Sequence, residues 1–587
     1  MKDFLKYTLA TITGIITASF IFFMILLGSL SAMLASGNKP VSIQDNSILV
    51  LKAGLPVPER GNPSPFASFD PLNREIMQTP GLNEILKNIT KATSDDKIRG
   101  ILIENGLMNS GWATTGEIRD ALRDFRTSGK FVISYSDYVL TQQCYYLSTA
   151  ADKIFLNPAA MLDFKGLSSE VLFFTDALKK LGVEVQVTRH GKFKGAVEPF
   201  ILDKLSDENK AQIKAYAGSI WNHVLEEISG ARNISVEQLN QIADNLEGYK
   251  ASGALEKGLV DGLIYRDVLV DTLKMLSGID EDKDLRLVSM TKYSRVPSKE
   301  SSAKSKISII YAEGNIVMGK GNDSNIGGNR YAEIIRKERS DSTVKAIVLR
   351  VNSPGGSAAA SDIIWRELEL ASRIKPVIVS MGNYAASGGY YISAPATKIY
   401  ADAVTISGSI GVFGLMPDAS KLMEQKLGLK TEVVNTNSNS DFPSFSRPMT
   451  QFEKGIMQES IETIYADFVS KVASGRKMRE NEVDSIGQGR VWDGRSAISI
   501  GLVDEKGGLK EAVRGAADLA GLSEYSVREL PVPEDPYLKL LSQLGGEVKL
   551  RILKKELGES VRFYNIIQEI KEMSGVQARL PYFMEIN

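Results

Sequence analysis

The sequence holds one cysteine, Cys144, and two histidines, His190 and His223. One cysteine excludes an intrachain disulfide. With so few thiols and imidazoles, and no cluster of them, a zinc site is not expected. No acidic loop has the spacing of a calcium or magnesium site, so no metal or cofactor is expected. Charge of one sign is lacking too: 70 Lys and Arg offset 71 Asp and Glu, leaving a formal net charge of -1. Nucleic-acid binding, which rests on a concentrated basic face, is therefore not expected. Long hydrophobic runs are missing except at one place. Lys2 and Lys6 precede an uncharged stretch, Tyr7–Asn38. Within it, residues 9–34 reach the roughly 20 apolar residues that a helix needs to cross a bilayer. The run is longer than the apolar part of a usual cleaved signal, so a retained single-pass anchor is expected, with cleavage near Ala32 or Ala35 as the competing reading. The lysines ahead of it predict a cytoplasmic N-terminus and an exported bulk.

At 587 residues the chain exceeds what one core organises, and two or more domains are expected. An internal repeat supplies them. KIRGILIENGLMNSGWATTGEIRDAL begins at Lys97, and TVKAIVLRVNSPGGSAAASDIIWREL begins at Thr343. Gly100 pairs with Ala346, Gly106 with Asn352 and Ser134 with Ser380, each 246 residues apart. YYLSTAADKIF then matches YYISAPATKIY, LGVEVQV matches LGLKTEV, and GALEKGLVDG matches SAISIGLVDE. Several segments in one order at a nearly constant offset mark two copies of one domain.

Each copy reads as α/β. Short apolar runs such as GILIE, AIVLRV and PVIVSMG predict strands buried on both faces, alternating with helical patterns such as GEIRDALRDF. Mainly parallel sheets built from β-α-β crossovers follow. The expected organisation is an anchor over 1–38, a loosely structured lead-in over 39–90, a first domain over 91–289, a linker over 290–306, a second domain over 307–530, and a C-terminal extension of amphipathic helices over 531–587.

The differences between the copies carry the chemistry. In the second copy the strand AIVLRV ends in NSPGGSAAAS, where Gly355 and Gly356 leave backbone N–H groups uncrowded for an oxyanion. The first copy has Met108, Asn109 and Ser110 there. Thirty residues on, in SMGNYAASGGYYISAPA, Ser387 follows a strand and opens a helix among small residues, a setting that exposes a hydroxyl. The first copy has Thr141 and Gln142 at that point. A nucleophilic serine needs a base. Neither histidine lies in the second copy, and no Ser-His-Asp order is evident. The first copy offers TRHGKFKGAVEPF instead, with His190, Lys192 and Lys194; Lys194 corresponds to Ser440. One copy has lysines without the glycine-serine machinery, and the other has the reverse. A composite site with a part from each copy explains both losses. Desolvation between the domains lowers a lysine pKa toward the range a base requires, and Ser407 and Ser409 are candidates to hold the amine.

The pieces GKFKGAVEPF, VNSPGGSAAAS, SMGNYAASGGYYISAPA and TISGSIGVFG resemble the signal peptide peptidase A family in its long, duplicated bacterial form, also called protease IV. The resemblance spans nearly the whole chain. It implies Ser387 as nucleophile, Lys194 as general base, Lys192 as auxiliary, Gly355 or Gly356 as oxyanion donors and Ser409 as a partner of the lysine. It further implies a fold related to Clp protease and crotonase subunits and a homotetrameric bowl tethered to the bacterial inner membrane, with catalytic domains on the extracytoplasmic side. The implied substrates are remnant signal peptides and unfolded proteins. The rival readings are a crotonase-like acyl-transfer enzyme, a non-enzymatic membrane scaffold, and a serine protease with His190 as base.

Overall fold

Two aliphatic runs, ILVL in the first half and ISIIYA in the second, start the two central sheets. The computed structural model describes residues 2–37, 41–61, 69–70, 75–76, 79–108, 110–297, 301–532 and 575–580. Helix α1 (Lys2–Gly37) comes first. Its window Lys6–Ile25 is exposed and has a mean hydropathy of 2.0, long and apolar enough to cross a membrane.

The first copy contributes β1 (Ser47–Lys52), α2 (Leu82–Ser94), β2 (Ile98–Glu104), α3 (Trp112–Arg126), β3 (Phe131–Ser136) and β4 (Lys153–Leu156). Next come β5 (Glu184–Arg189), α4 (Asp207–Arg232) and β6 (Leu287–Ser289). Its sheet runs Gly262–Leu263, β4, β3, β2, β1, β6, parallel throughout. Ile101, Leu102 and Ile103 in β2 are fully buried, as expected of a strand covered on both faces. The second copy contributes β7 (Lys306–Glu313), β8 (Val344–Ser353), β9 (Gly355–Ser357), α5 (Ala358–Ser372) and β10 (Val377–Ala386). It continues with α6 (Gly388–Ser393), β11 (Ile406–Gly408), β12 (Phe413–Asp418), α7 (Gln451–Arg476) and β13 (Ser526–Leu530). Its sheet runs Val491–Asp493, β11, β10, β8, β7, β13, parallel but for the first pair.

The repeat extends to register. Ser47 faces Ile98 and Ile48 faces Gly100, a one-residue slip; Lys306 faces Val344 and Ile307 faces Ala346, the same slip. β1 is therefore the counterpart of β7. This corrects the expectation of a loosely structured lead-in over 39–90, because β1 lies inside the first sheet and Leu82, Ile85 and Ile89 of α2 are buried in its core. The joint at 290–306 is also packed at its start: Tyr293 is buried, and Asn88 donates to the Met290 carbonyl. Of the C-terminal extension, the helical stretch expected around 537–555 lies outside the described residues, whereas Gly575–Arg579 forms a strand, β14.

A third sheet joins the copies. Its order is Asn325–Gly327, Asn315–Val317, β9, β14, β12, β5. β5 of the first copy lies antiparallel to β12 of the second, from Arg189 opposite Phe413 to Glu184 opposite Asp418. A buried ionic cluster fastens the copies elsewhere. Arg350 in β8, wholly buried, places Nε 2.8 Å from Glu59 Oε2 and Nη2 2.6 Å from Glu117 Oε1 of α3. Its Nη1 donates to Ser380 Oγ at 2.8 Å, and Leu509 N donates to the other Glu117 oxygen at 2.8 Å. Close by, Asn383 and the start of α3 exchange two hydrogen bonds through Thr114.

Candidate active site

β10 ends at Ala386, and the chain turns sharply before α6. Ser387 occupies the turn with φ 54° and ψ -115°, an unfavourable conformation for a residue with a side chain. Its N–H donates to the Gly408 carbonyl at 2.8 Å, which fixes the turn against β11. Gly389 must be glycine, since a Cβ there would sit 2.6 Å from the Ser353 carbonyl oxygen. β9 runs beside this turn. Gly355 has φ 101°, and a Cβ on Gly356 would come within 2.0 Å of the Ile316 carbonyl. Glycine lets this backbone lie close both to its neighbours and to whatever fills the cleft.

Lys194 arrives from the other copy. β5, held on β12, delivers the loop 190–194 to the end of β10. The Phe193 carbonyl accepts from Gln212 Nε2 of α4 at 3.1 Å, and Phe193 N donates to the Gln488 carbonyl at 3.1 Å. Gln212 Oε1 in turn accepts from Val491 N at 3.2 Å, so one amide ties the lysine loop to the second copy. Gly489 and Gly411 make room for the lysine: a Cβ on Gly489 would lie 2.7 Å from Lys194 N, and one on Gly411 3.3 Å from Lys194 Cδ. The amine reaches inward, with Nζ 2.8 Å from Ser387 Oγ, 3.1 Å from Ser409 Oγ and 3.2 Å from the Ser409 carbonyl.

Burial decides the electrostatics. Lys194 and Ser387 are both inaccessible to solvent. Removal from water pushes the Lys194 amine well below the usual lysine range, because an uncompensated charge is costly there. Arg350 shows the opposite outcome. It is equally buried, but Glu117 and Glu59 outweigh the desolvation and hold it charged. The site therefore sets a desolvated amine, whose charged form burial disfavours, against a hydroxyl, an arrangement able to accept a proton from that hydroxyl.

The structure does not bring every expected residue to this point. Ser407 is buried, but its Oγ donates to the Ala385 carbonyl at 3.0 Å and approaches Met381 Sδ; these bonds lead to β10 and not to Lys194. Lys192 is exposed. His190 stacks on Tyr465 with ring centroids 3.7 Å apart, and its Nδ1 lies 2.6 Å from Glu462 Oε2. It serves the contact with α7 rather than Ser387. His223 lies on α4 against Arg495, where burial and nearby cations lower its pKa to about 4. Sequence reading missed Gln212 and the Arg350 cluster. An arginine inside AIVLRV, a strand read as buried on both faces, was the available signal for the cluster. Among the described residues no group of His, Cys, Asp and Glu could hold a metal ion.

The profile of peptidase family S49 matches the chain twice, over residues 124–280 and 369–523, once in each copy. The chain belongs to peptidase family S49. The Clp protease profile matches residues 298–407 as well. The chain is 36% identical over 481 residues to Protease 4 of Haemophilus influenzae, covering 79% of this chain and 78% of that protein. It is 38% identical over 461 residues to Protease 4 of Salmonella typhi, covering 76% and 74%. The chloroplastic serine protease SPPA of Arabidopsis thaliana is 31% identical over 526 residues, covering 88% and 76%. As an S49 member the protein is a serine peptidase with tandem α/β domains of the Clp-like kind and one N-terminal apolar helix.

Proposed function

We propose that this S49 peptidase is a membrane-anchored endopeptidase that uses Ser387 as nucleophile and Lys194 as general base to degrade signal peptides left after export, and unfolded proteins. The observation that carries this reading is the desolvated Lys194 amine 2.8 Å from the Ser387 hydroxyl. Neutral Lys194 takes the Oγ proton as Ser387 attacks a peptide carbonyl. The backbone N–H groups of Gly356 and Gly388 stabilise the oxyanion, Gly355 shaping the turn that aims the first of them. The lysine then protonates the leaving amine, and water repeats the cycle to free the acyl group. Ser409, bonded to Nζ through both its oxygens, orients the amine. Ala386, the residue before Ser387, is buried in an apolar cluster with Ile406, which favours apolar or small residues at the cleavage position; an acidic preference in a cleavage profile contradicts this.

The pH dependence tests the base. Protonated Lys194 cannot accept the serine proton. kcat/KM against a leucine-containing fluorogenic peptide is therefore expected to rise with pH through a single ionisation well below the ordinary lysine value of 10.5. Rates that fall as pH rises would contradict a lysine base.

With α1 in the bilayer, the positive residues before it support an inner-membrane anchor with an extracytoplasmic catalytic body. The repeat supports assembly. β5 pairs with β12, yet their counterparts, residues 430–435 and 168–173, make no such pair within one chain. Val434 and Leu172 are 94% and 70% exposed there. Pairing of these segments between copies of the chain builds a ring, and a homotetramer is the proposed closure. Val433→Asp/Val434→Asp is expected to reduce the assembly to smaller species in detergent, read by light scattering; an unchanged mass rules out this contact.

A further inference from the structure

A buried carboxyl that takes no part in the chemistry grips the loop of the base from behind. Glu198 lies four residues after Lys194 and is fully buried. Its ion-pair partner among the described residues is Arg189, at a loose 3.8 Å. A carboxyl removed from water in this way needs donors. Ser206 N donates to Oε2 at 3.1 Å, and Ser206 Oγ and Asn209 Nδ2 donate to Oε1 at 2.6 and 2.5 Å. Asn209, also fully buried, hands the constraint on. Its Oδ1 accepts from Gln212 Nε2, which also donates to the Phe193 carbonyl at 3.1 Å. A Cβ on Gly195 would sit 2.7 Å from the Asn209 amide, so the residue after the base lies directly on this relay. The hydrogen bonds of Lys194 Nζ go to Ser387 and Ser409, not to Glu198, Asn209 or Gln212.

The repeat shows that capping a helix does not by itself call for Glu198. α4 starts after Ser206 and α7 after Thr450, two helices of 26 residues at matching places in the copies. In α7 the carboxyl that receives the N–H of the capping residue is local. Thr450 N donates to Glu453 Oε2 at 2.7 Å, within a reciprocal capping box. In α4 the position three residues after the cap is Asn209, and the Ser206 N–H goes to Glu198 instead. In the copy that carries the base, the carboxyl thus sits on the base loop and fixes loop and helix together.

We propose that Glu198 is a positioning residue for the general base, holding Lys194 against Ser387 through Asn209 and Gln212. This rests on the Ser387–Lys194 reading. Reaction geometry is sensitive at this scale, since a misplacement of about 1 Å costs on the order of 100-fold in rate. A loosened loop also admits water to the amine and restores solvation to its charged form. The relay has a direction that substitution can reverse. A carboxylate only accepts, so Glu198→Gln sets a donor against the donors of Ser206 or Asn209. Asn209→Asp fails in the opposite sense, acceptor against acceptor. Together the two substitutions invert the bond between positions 198 and 209: the new amide donates to the new carboxylate, which still accepts from Gln212.

The test measures kcat, KM and the pH profile of the full-length protein in detergent with the fluorogenic peptide. It compares the wild type, Glu198→Gln, Asn209→Asp, their combination, Lys194→Ala and Ser387→Ala, with melting as the check of folding. Each single variant of the relay is expected to lower kcat by about 30-fold or more with KM changed less than about twofold. The ionisation that governs kcat/KM is expected to move up by about one pH unit, toward 10.5. The combination is expected to regain at least about tenfold in kcat and the wild-type pH profile, because its donors and acceptors match again. A loss that only follows the folded fraction, an unmoved pH profile, or a combination no better than the single variants overturns the proposal. In those cases inactive Lys194→Ala and Ser387→Ala leave the Ser387–Lys194 reading standing. If these two variants keep their turnover, that reading fails and the proposal with it.

Discussion

Lys194→Ala and Ser387→Ala are each expected to lower kcat/KM by about 10,000-fold or more, the usual scale for removing one member of a catalytic unit. The double variant should be no worse than either single one, because the two groups act on one proton. Lys194→Arg should be as inactive as Lys194→Ala, since a guanidinium does not give up its proton. Lys194→Met adds a readout that simple misfolding would not produce. In the folded protein the amine is held well below 10.5, whereas in the unfolded chain it titrates normally. Between those two values the unfolded state binds more protons, so Lys194 opposes folding most at low pH and this penalty fades as pH rises. A methionine of similar shape removes the penalty. The variant is expected to be inactive yet to melt no lower than wild type near neutral pH, and to gain most in acid. Near-normal turnover by Lys194→Ala, with turnover abolished in His190→Ala, would transfer the base role to His190.

Arg350→Met is expected to have the largest effect on stability. Removing it leaves Glu59 and Glu117 buried without their cation, and breaking a buried pair in this way costs about 3–5 kcal/mol. Burial already pushes the Glu117 carboxyl up to about 7 against the pull of Arg350, so it has little margin. Because Glu59 and Glu117 belong to the first copy and Arg350 to the second, the loss falls on the seam that brings Lys194 to Ser387. Melting and peptidase activity should decline together. Adding Glu117→Gln to Arg350→Met should recover part of the stability; a double variant worse than the single would mean that the cluster is not the source of the loss.

The repeat and its two reciprocal losses were legible because each left a trace in local sequence. A strand–glycine–serine segment without a base and a lysine segment without a nucleophile complete each other. β1 was not legible, since 259 residues separate Ser47 from its counterpart Lys306, and the constant offset does not reach it. Ser407 and Ser409 show a finer limit. Two residues apart in a strand, they should share a face. Ser409, however, has φ 51°, which breaks the alternation and turns it to Lys194 while Ser407 stays on β10. Strand β14 was hidden for another reason: its partners, β9 and β12, lie far upstream, and pairing over such separations leaves no local pattern.

The seam between the copies also sets when the protease can first act. Lys194 leaves the ribosome 193 residues ahead of Ser387. Its loop has no Gln488 carbonyl to hold it and β5 has no β12 until most of the second copy has been made. Domains fold as they emerge, N-terminal first. On the proposed Ser387–Lys194 reading, a chain that stops short of Gln488 lacks the contact that holds the base beside the nucleophile. Division of the site between two folding units acts as a clock, keeping the peptidase inert until synthesis is nearly done.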